Sequence, residues 1–312
     1  MSRILVTGGA GFIGSHLCEV LADRHHLVTC FDNLSTGNSK NINHINLENF
    51  IQGDANNYKD LERAFRGDKI DRVFHYAAVC GVKRTLENPL LVLKDVAGIY
   101  NILDLSVKYG IEKVVFSSSS EVYGNPVEIP EVEDGHINAK LPYAAVKLIG
   151  ENFMKAYYQQ HKLKTCSLRF FNVYGPRQDG SAYGFVSGIF IEQVLGNKSP
   201  TIFNDGTQTR DFVYIDDNIE AAIRAMESDK TNGEVINVGT GKPITITDLA
   251  ETVIKLCGKE GQIEPVYLAE RREDVMHRFP NVSKMLELLE FRPKIKLEDG
   301  LKKTIEWYKT KN

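Results

Sequence analysis

Tyr143 and Lys147 stand four residues apart in PYAAVK, so a helix would carry both on one face. A lysine ammonium beside a phenol favours the phenolate, which turns a tyrosine into a general base near neutral pH. The spacing alone carries nothing, because Tyr158 and Lys162 repeat it further along; we read that second pair as a solvated helix end. Position is what promotes Tyr143. It opens a helical pattern running to His161, behind Pro142 in the place that suits a proline, and it follows the serine run Ser117 to Ser120.

A second cluster lies at the start of the chain. The apolar run Ile4, Leu5 and Val6 leads into Gly8, Gly9, Gly11 and Gly14, and Ser15 to Leu21 then reads as an amphipathic helix. A buried strand, a glycine turn and a helix N-terminus together make a phosphate site, where free N–H groups and the helix dipole favour an anion. Gly9, Gly11 and Gly14 fit GxGxxG, and Asp32 ends the next apolar run, Leu27 to Phe31. An acid there is placed to hydrogen-bond an adenosine ribose diol. The four features together predict dinucleotide binding.

These clusters need a frame. Strand-like Phe50 to Gly53, Arg72 to Ala78, Lys113 to Phe116 and Thr165 to Phe170 alternate with helical Lys59 to Phe65, Leu90 to Tyr109 and Tyr143 to His161. Such alternation of apolar strands and helices predicts an α/β fold, a parallel sheet covered on both faces. Ligands of such sheets bind beyond the carboxyl ends of the strands. The ends to read are therefore the glycine turn, Asp32, Asp54, Ala77 to Cys80, the serines with Glu121, and Phe171-Asn172. After residue 171 the loops lengthen, and residues 172–312 read as a smaller C-terminal substrate domain. Phe212 to Ile215 and Val235 to Val238 are expected to rejoin the main sheet. Glu298 to Tyr308 closes the chain as an amphipathic helix, with Leu301, Ile305 and Tyr308 on one face.

The totals exclude several classes. The chain has 312 residues, and 38 basic against 41 acidic side chains leave a net charge of −3 with no basic block. Nothing there points to nucleic acid or to a membrane surface. The five cysteines (Cys18, Cys30, Cys80, Cys166 and Cys257) are odd in number and lack CxxC spacing. That fits free thiols in a reducing cytoplasm better than disulfides or a zinc site, and no metal site is expected. No charged leader opens the chain, and no apolar run is long enough to span a bilayer.

The motifs TGGAGFIG (7–14), DNLSTG (32–37), GD (53–54), HYAA (75–78), ENP (87–89), SSSSEVYG (117–124), PYAAVK (142–147), RFFNVYG (169–175), TRDFVYIDD (209–217) and INVGTG (236–241) occur in one order along the chain. In them the sequence resembles the extended short-chain dehydrogenase/reductases, specifically the nucleotide-sugar epimerase/dehydratase family. The resemblance implies a Rossmann-like doubly wound sheet with bound NAD. It makes Tyr143 the catalytic base, Lys147 its partner on the nicotinamide ribose, and Ser119 the hydrogen-bonding partner of the reacting sugar hydroxyl. It assigns NAD contacts to Gly8, Gly11, Phe12, Ile13, Gly14, Asp32, Asn33, Asp54, Ala55, Ala77, Ala78 and Ser117, with Tyr143 and Lys147. Asp32 argues against NADP, since a carboxylate repels a 2′-phosphate.

By the same resemblance Asn172, Arg210 and Arg271 contact a nucleoside diphosphate, a task arginine suits through bidentate bonding to phosphate. Arg271 beside Arg272 reads equally as surface charge. Phe203 would stack on the base. Cys80 opens the loop toward the sugar, where a small apolar filler is as good a reading as a chemical role. The implied substrate is a UDP-sugar or related nucleotide-diphosphate sugar, and the implied reaction a 4-epimerisation through a 4-keto sugar. A homodimer through Leu90–Tyr109 and Tyr143–His161 is implied too, although the apolar spacing of those helices equally suits packing on the sheet.

Two positions, Glu121 and Asp95, depart from the plain epimerase pattern. Glu121 stands where 4-epimerases usually carry a small or neutral residue, and a glutamate there is similar to family dehydratases and UDP-glucuronate decarboxylases. An extra carboxylate can serve as acid or base next to a keto group, so Ser120 and Glu121 join the candidate catalytic set; a solvated or salt-bridged loop acid is the competing reading. Ser120 replaces the aspartic acid of nucleotide-diphosphate-glucose dehydratases. Asp95 replaces a usual asparagine, with no explanation in the sequence. A non-catalytic NAD-binding protein on this fold would have lost Tyr143, Lys147 or Ser119, and all three are present.

Overall fold

A computed structural model describes residues 1–311 other than 68, 182 and 270–274. Seven parallel strands form its centre: β1 (Arg3–Thr7), β2 (Leu27–Asp32), β3 (Asn49–Gln52), β4 (Arg72–His75), β5 (Lys113–Ser119), β6 (Lys164–Phe170) and, much later, β10 (Glu234–Val238). Their order across the sheet is β10-β6-β5-β4-β1-β2-β3, so β1 and β4 sit in the middle and the order reverses there. Such a switch point opens a crevice at the carboxyl edge of the sheet. β1, β5 and β6 are buried along nearly their whole length, as strands covered by helices on both faces must be.

The crossovers are α1 (Phe12–Asp23), α2 (Tyr58–Arg66), the short α3 (Val82–Glu87) and α4 (Pro89–Leu93), α5 (Asp95–Lys108) and α6 (Pro142–His161). The single helix expected over Leu90 to Tyr109 is two pieces. At Lys94 the bonds Lys94 N to Leu91 O (3.3 Å) and Ala97 N to Lys94 O (3.0 Å) span three residues instead of four, so the turn tightens and the axis breaks. The strand expected to reach Ala78 ends at His75. The strand expected to end at Phe116 continues through Ser119, because Ser117, Ser118 and Ser119 pair in register with Leu168, Arg169 and Phe170 of β6.

The rest of the chain comprises β7 (Asn172–Tyr174), α7 (Val186–Leu195), β8 (Thr201–Phe203), β9 (Thr209–Tyr214), α8 (Ile215–Glu227), β11 (Pro243–Thr245), α9 (Ile246–Leu256), β12 (Val266–Leu268), β13 (His277–Arg278), α10 (Ser283–Leu289) and α11 (Leu297–Lys311). β10 pairs in parallel with β6. β9 does not enter the main sheet, which corrects the expectation for Phe212 to Ile215. It forms its own small sheet with β11, β13 and β7, while β12 pairs with β8 alone. The apolar run misled because β9 is buried by other neighbours: Tyr174 on β7 and the helices α8 and α11 cover it. Among the described residues no helix is long and apolar enough to cross a membrane, and the five cysteines are unpaired thiols.

α6 lies close on β5. A methyl group at Gly150 would sit 2.4 Å from the Phe116 ring, so only a glycine allows this approach. One turn earlier on the same helix comes Lys147. Next along, Glu151 forms two parallel bonds to Arg169 of β6 (both 2.8 Å) and accepts from Ser118 of β5 (2.5 Å), with all three side chains buried. Arg169 also donates to the Tyr123 hydroxyl (2.8 Å), which donates to Asn237 of β10 (2.7 Å).

Candidate active site

At the β1 end, Gly8 has φ +70°, and a methyl at Gly14 would lie 2.1 Å from the Gly8 carbonyl oxygen. The glycines thus draw the start of α1 tightly against the sheet. Gly11 caps that helix with no side-chain acceptor, so the N–H groups of its first turn, from Phe12, Ile13 and Gly14, face outward as an anion site. Asp32 is buried at the end of β2, where its two oxygens accept from Ala10 N (3.0 Å) and Leu34 N (2.7 Å). Burial pushes its carboxyl up, and the two N–H bonds pull it back. Asn33 is exposed beside it. Asp54 lies two residues past β3 with its Oδ1 on Asn56 N (2.9 Å), and the Ala55 carbonyl accepts from Asn101 (3.0 Å). Ala77 N donates to Thr7 Oγ1 (3.3 Å), and Ala78 follows on the same strand exit. A helix start without a side-chain cap, a fixed carboxylate eighteen residues past Gly14 and small residues at the β4 exit fit NAD.

The second cluster lies at the ends of β5 and β6. Lys147 is buried and donates to the Ser117 carbonyl (2.6 Å) and hydroxyl (3.3 Å), with its ammonium 5.6 Å from the centre of the Tyr143 ring. Desolvation pushes it down to about 8. Tyr143 lies beside Ser119 at the end of β5. Burial and the nearby Cys80 raise its proton affinity, and the Ser119 contact lowers it. Ser119 also accepts from Glu121 N (3.2 Å) and so starts the single 3-10 turn Ser120–Tyr123, with Ser120 buried inside it. Cys80 lies on the β4 exit loop, and burial pushes its thiol up. Tyr158 and Lys162 have no part here: Tyr158 packs on Gly233, and Lys162 lies past the helix end at φ 57°.

Glu121 is not a bare carboxylate. It is ion-paired with Arg278 of β13, which also donates to the Gly124 carbonyl (3.0 Å) and is only 4% exposed. Arg278 stands opposite Arg210 in the β13–β9 register. Beside it, the buried Glu131 accepts from Phe279 N (2.8 Å), and burial pushes its carboxyl up to about 7. Sequence reading missed Arg278 and Glu131. Both lie in segments without a motif, and strand pairing between distant parts of the chain is what brings Arg278 to Glu121.

Of the other predicted residues, Asn172 donates to the Asp211 carbonyl (2.9 Å), tying β7 to β9, and Arg210 donates to the Thr209 carbonyl (2.8 Å). Phe203 is 39% exposed on the separate β8–β12 pair. Arg271 lies outside the described residues. Asp95, unexplained in the sequence, is buried at the start of α5, with Oδ2 on Val79 N (2.7 Å) and Oδ1 on Asn56 Nδ2 (3.3 Å).

Residues 4–239 match the NAD dependent epimerase/dehydratase family. The chain is 37% identical over 325 residues to a UDP-N-acetyl-alpha-D-glucosaminuronate decarboxylase of Bacillus cytotoxicus, covering 98% of both. Its structure superposes on the UDP-glucose 4-epimerase of Thermotoga maritima with UDP-glucose at a TM-score of 0.94, with 36% identity over 99% of each chain. It also superposes on the UDP-N-acetylglucosamine 4-epimerase of Methanobrevibacter ruminantium in complex with UDP-N-acetylmuramic acid, at 0.93 and 37% identity, over 100% of this chain and 99% of that one. Motif order, the two clusters on one sheet edge and these likenesses agree: the chain belongs to the NAD dependent epimerase/dehydratase family.

Proposed function

We propose that this protein is a cytoplasmic nucleotide-sugar 4-epimerase that uses NAD and acts on a UDP-linked hexose. The observation that carries the reading is Ser119, Tyr143 and Lys147 gathered at the carboxyl ends of β5 and β6, on the same edge as the glycine turn and Asp32. Asp32, Asn33, Asp54, Ala55, Ala77 and Ala78 line the route from the adenosine end to the reacting end. NAD, held by the glycine turn and Asp32, would supply reversible hydride acceptance at C4 of the sugar. Tyr143 takes the proton of the 4-hydroxyl and later gives it back, while Ser119 holds that oxygen in line. Lys147 keeps a positive charge beside the phenolate. Asn172, Arg210, Arg271 and Phe203 serve the nucleoside diphosphate.

A second reading has its own observation, the Glu121–Arg278 pair. A guanidinium suits a carboxylate, and a sugar acid oxidised at C4 is a β-keto acid that can lose carbon dioxide. Arg278 would hold that carboxylate, and the proton that C5 gains when carbon dioxide leaves would come from solvent water relayed by Glu121. The B. cytotoxicus relative is named for such a decarboxylation. One experiment separates the two readings: purified protein is given UDP-glucose, UDP-N-acetylglucosamine and UDP-glucuronate, and the products are weighed. Unchanged mass with a new retention time supports the epimerase, and loss of carbon dioxide supports the second reading. Recovery of every substrate unaltered overturns both. If Glu121→Gln still epimerises normally, the carboxylate is a bystander.

We also propose a homodimer formed through α4 and α5. Leu90 is 76% exposed there, and Leu91, Leu93 and Tyr100 are exposed with it, an apolar face that supports pairing with a second copy.

A further inference from the structure

We propose that Asp95 is a positioning residue whose buried carboxylate fastens the Val79–Cys80 loop to α5 and stands as the fixed countercharge of the Tyr143–Lys147 pair. The proposal rests on the reading of those two residues as the proton-handling pair.

The geometry begins with hydrogen bonding. Asp95 is the first residue of α5, directly after the break at Lys94, and is 8% exposed. Both of its oxygens meet donors, Val79 N at 2.7 Å and Asn56 Nδ2 at 3.3 Å. The orientation of Asn56 is fixed in turn, since its Oδ1 accepts from Gly98 N (3.1 Å). A site that presents only donors suits an acceptor-only ionised carboxylate. An asparagine would turn an NH2 group toward one of those donors. The start of a helix favours the negative charge as well.

Charge gives the site its consequence. The groups facing Lys147 are Asp95, Cys80 and Glu151, with the buried His75 and the Phe116 ring. Those facing Tyr143 are Cys80, Ser119, Glu121, Asp95 and Lys147. Those facing Asp95 are Lys147, Asp54 and Asn56; burial and Asp54 push its carboxyl up, while the Val79 and Asn56 bonds and Lys147 pull it back. Glu151 is engaged by Arg169, and Glu121 by Arg278. Burial keeps the Cys80 thiol protonated and the His75 ring neutral. Among the described residues around Lys147, Asp95 is therefore the carboxylate not already paired with another cation. Burial drives Lys147 toward the neutral amine, and Asp95 opposes that. It also holds back ionisation of Tyr143. Both effects have one sign: the carboxylate raises the pH at which each of the two loses its proton.

The test needs no substrate. Lysine labelled with carbon-13 at Cε reports the titration of Lys147 by NMR, with the signal assigned by its loss in Lys147→Arg. In Asp95→Asn the midpoint should fall from near 8 by about one pH unit. The double variant Asp95→Asn with Asn56→Asp keeps donors matched to acceptors and moves the charge one hydrogen bond farther away. There the midpoint should fall by about half a unit. A midpoint that returns to the wild-type value in the double variant overturns the countercharge, because the loop bonds alone would then account for the single variant. Should the double variant fail to fold, an unchanged midpoint in Asp95→Asn overturns the proposal by itself. If turnover of a UDP-sugar is found, both limbs of its pH profile should move down together. Absence of turnover defeats the proposed function and leaves the titration as it was.

Discussion

Glu131 is a buried acid and Tyr143 a half-buried one, and each lends itself to a decisive substitution. The ordinary carboxyl value of 4.5 rises to about 7 at Glu131 because burial disfavours the charged form. The unfolded chain therefore loses its proton first as pH rises. The stability this proton confers is complete below about 4.5, declines as pH rises between 4.5 and 7, and is gone above that. Glu131→Gln should abolish that slope in urea titrations run at pH 4.5 and at pH 8, where wild type loses at most about 3 kcal/mol. Tyr143→Phe should leave NAD binding intact, read by calorimetry, and reduce turnover to background. Activity near that of wild type would remove Tyr143 from the role of base. Tyr143, Lys147, Ser119 and Asp32 were legible in the sequence because each lies within a few residues of a strand end or a helix start. Arg278 was not, since 157 residues separate it from Glu121 and β9–β13 pairing alone brings it there.

At the scale of elements, the pairing of β5 with α6 decides where the reacting groups stand. Phe116 faces Gly150, Ser117 faces Lys147 and Ser118 faces Glu151, so strand and helix are matched side chain by side chain. Gly150→Val must push α6 off Phe116. We expect a loss of about 1–3 kcal/mol in urea unfolding and a drop in turnover beyond what stability explains, since Lys147 moves with the helix. Glu151→Ala should cost more, about 3–5 kcal/mol, because Arg169 would be left as a buried unpaired cation. The alternation of strands and helices was plain from periodicity. The break at Lys94 was not, because apolar spacing continues across it and the cause is a local tightening of the backbone. β9 shows the opposite limit, as an apolar run says that a strand is buried without saying in which sheet.

For the whole molecule, the exposed face of α4 and α5 sets the next expectation. Leu90→Glu with Leu91→Glu should shift sedimentation from a dimer to a monomer while leaving the thermal transition of the monomer two-state. A single species of monomer mass in wild type would defeat the proposed pairing. Strand order carries the other consequence. β6 is flanked by β5 on one side and, on the other, by β10, which the chain supplies only after residue 233. A chain cut after Phe171 would expose the whole length of β6 as an unpaired edge of main-chain donors and acceptors. The same cut removes Asn237, which receives the Tyr123 hydroxyl bond. Such a fragment holds the glycine turn, Asp32, Tyr143 and Lys147, yet it should self-associate by edge-to-edge pairing during expression. A soluble nucleotide-binding module cut from this protein must therefore run past Val238, the end of the strand that covers this edge.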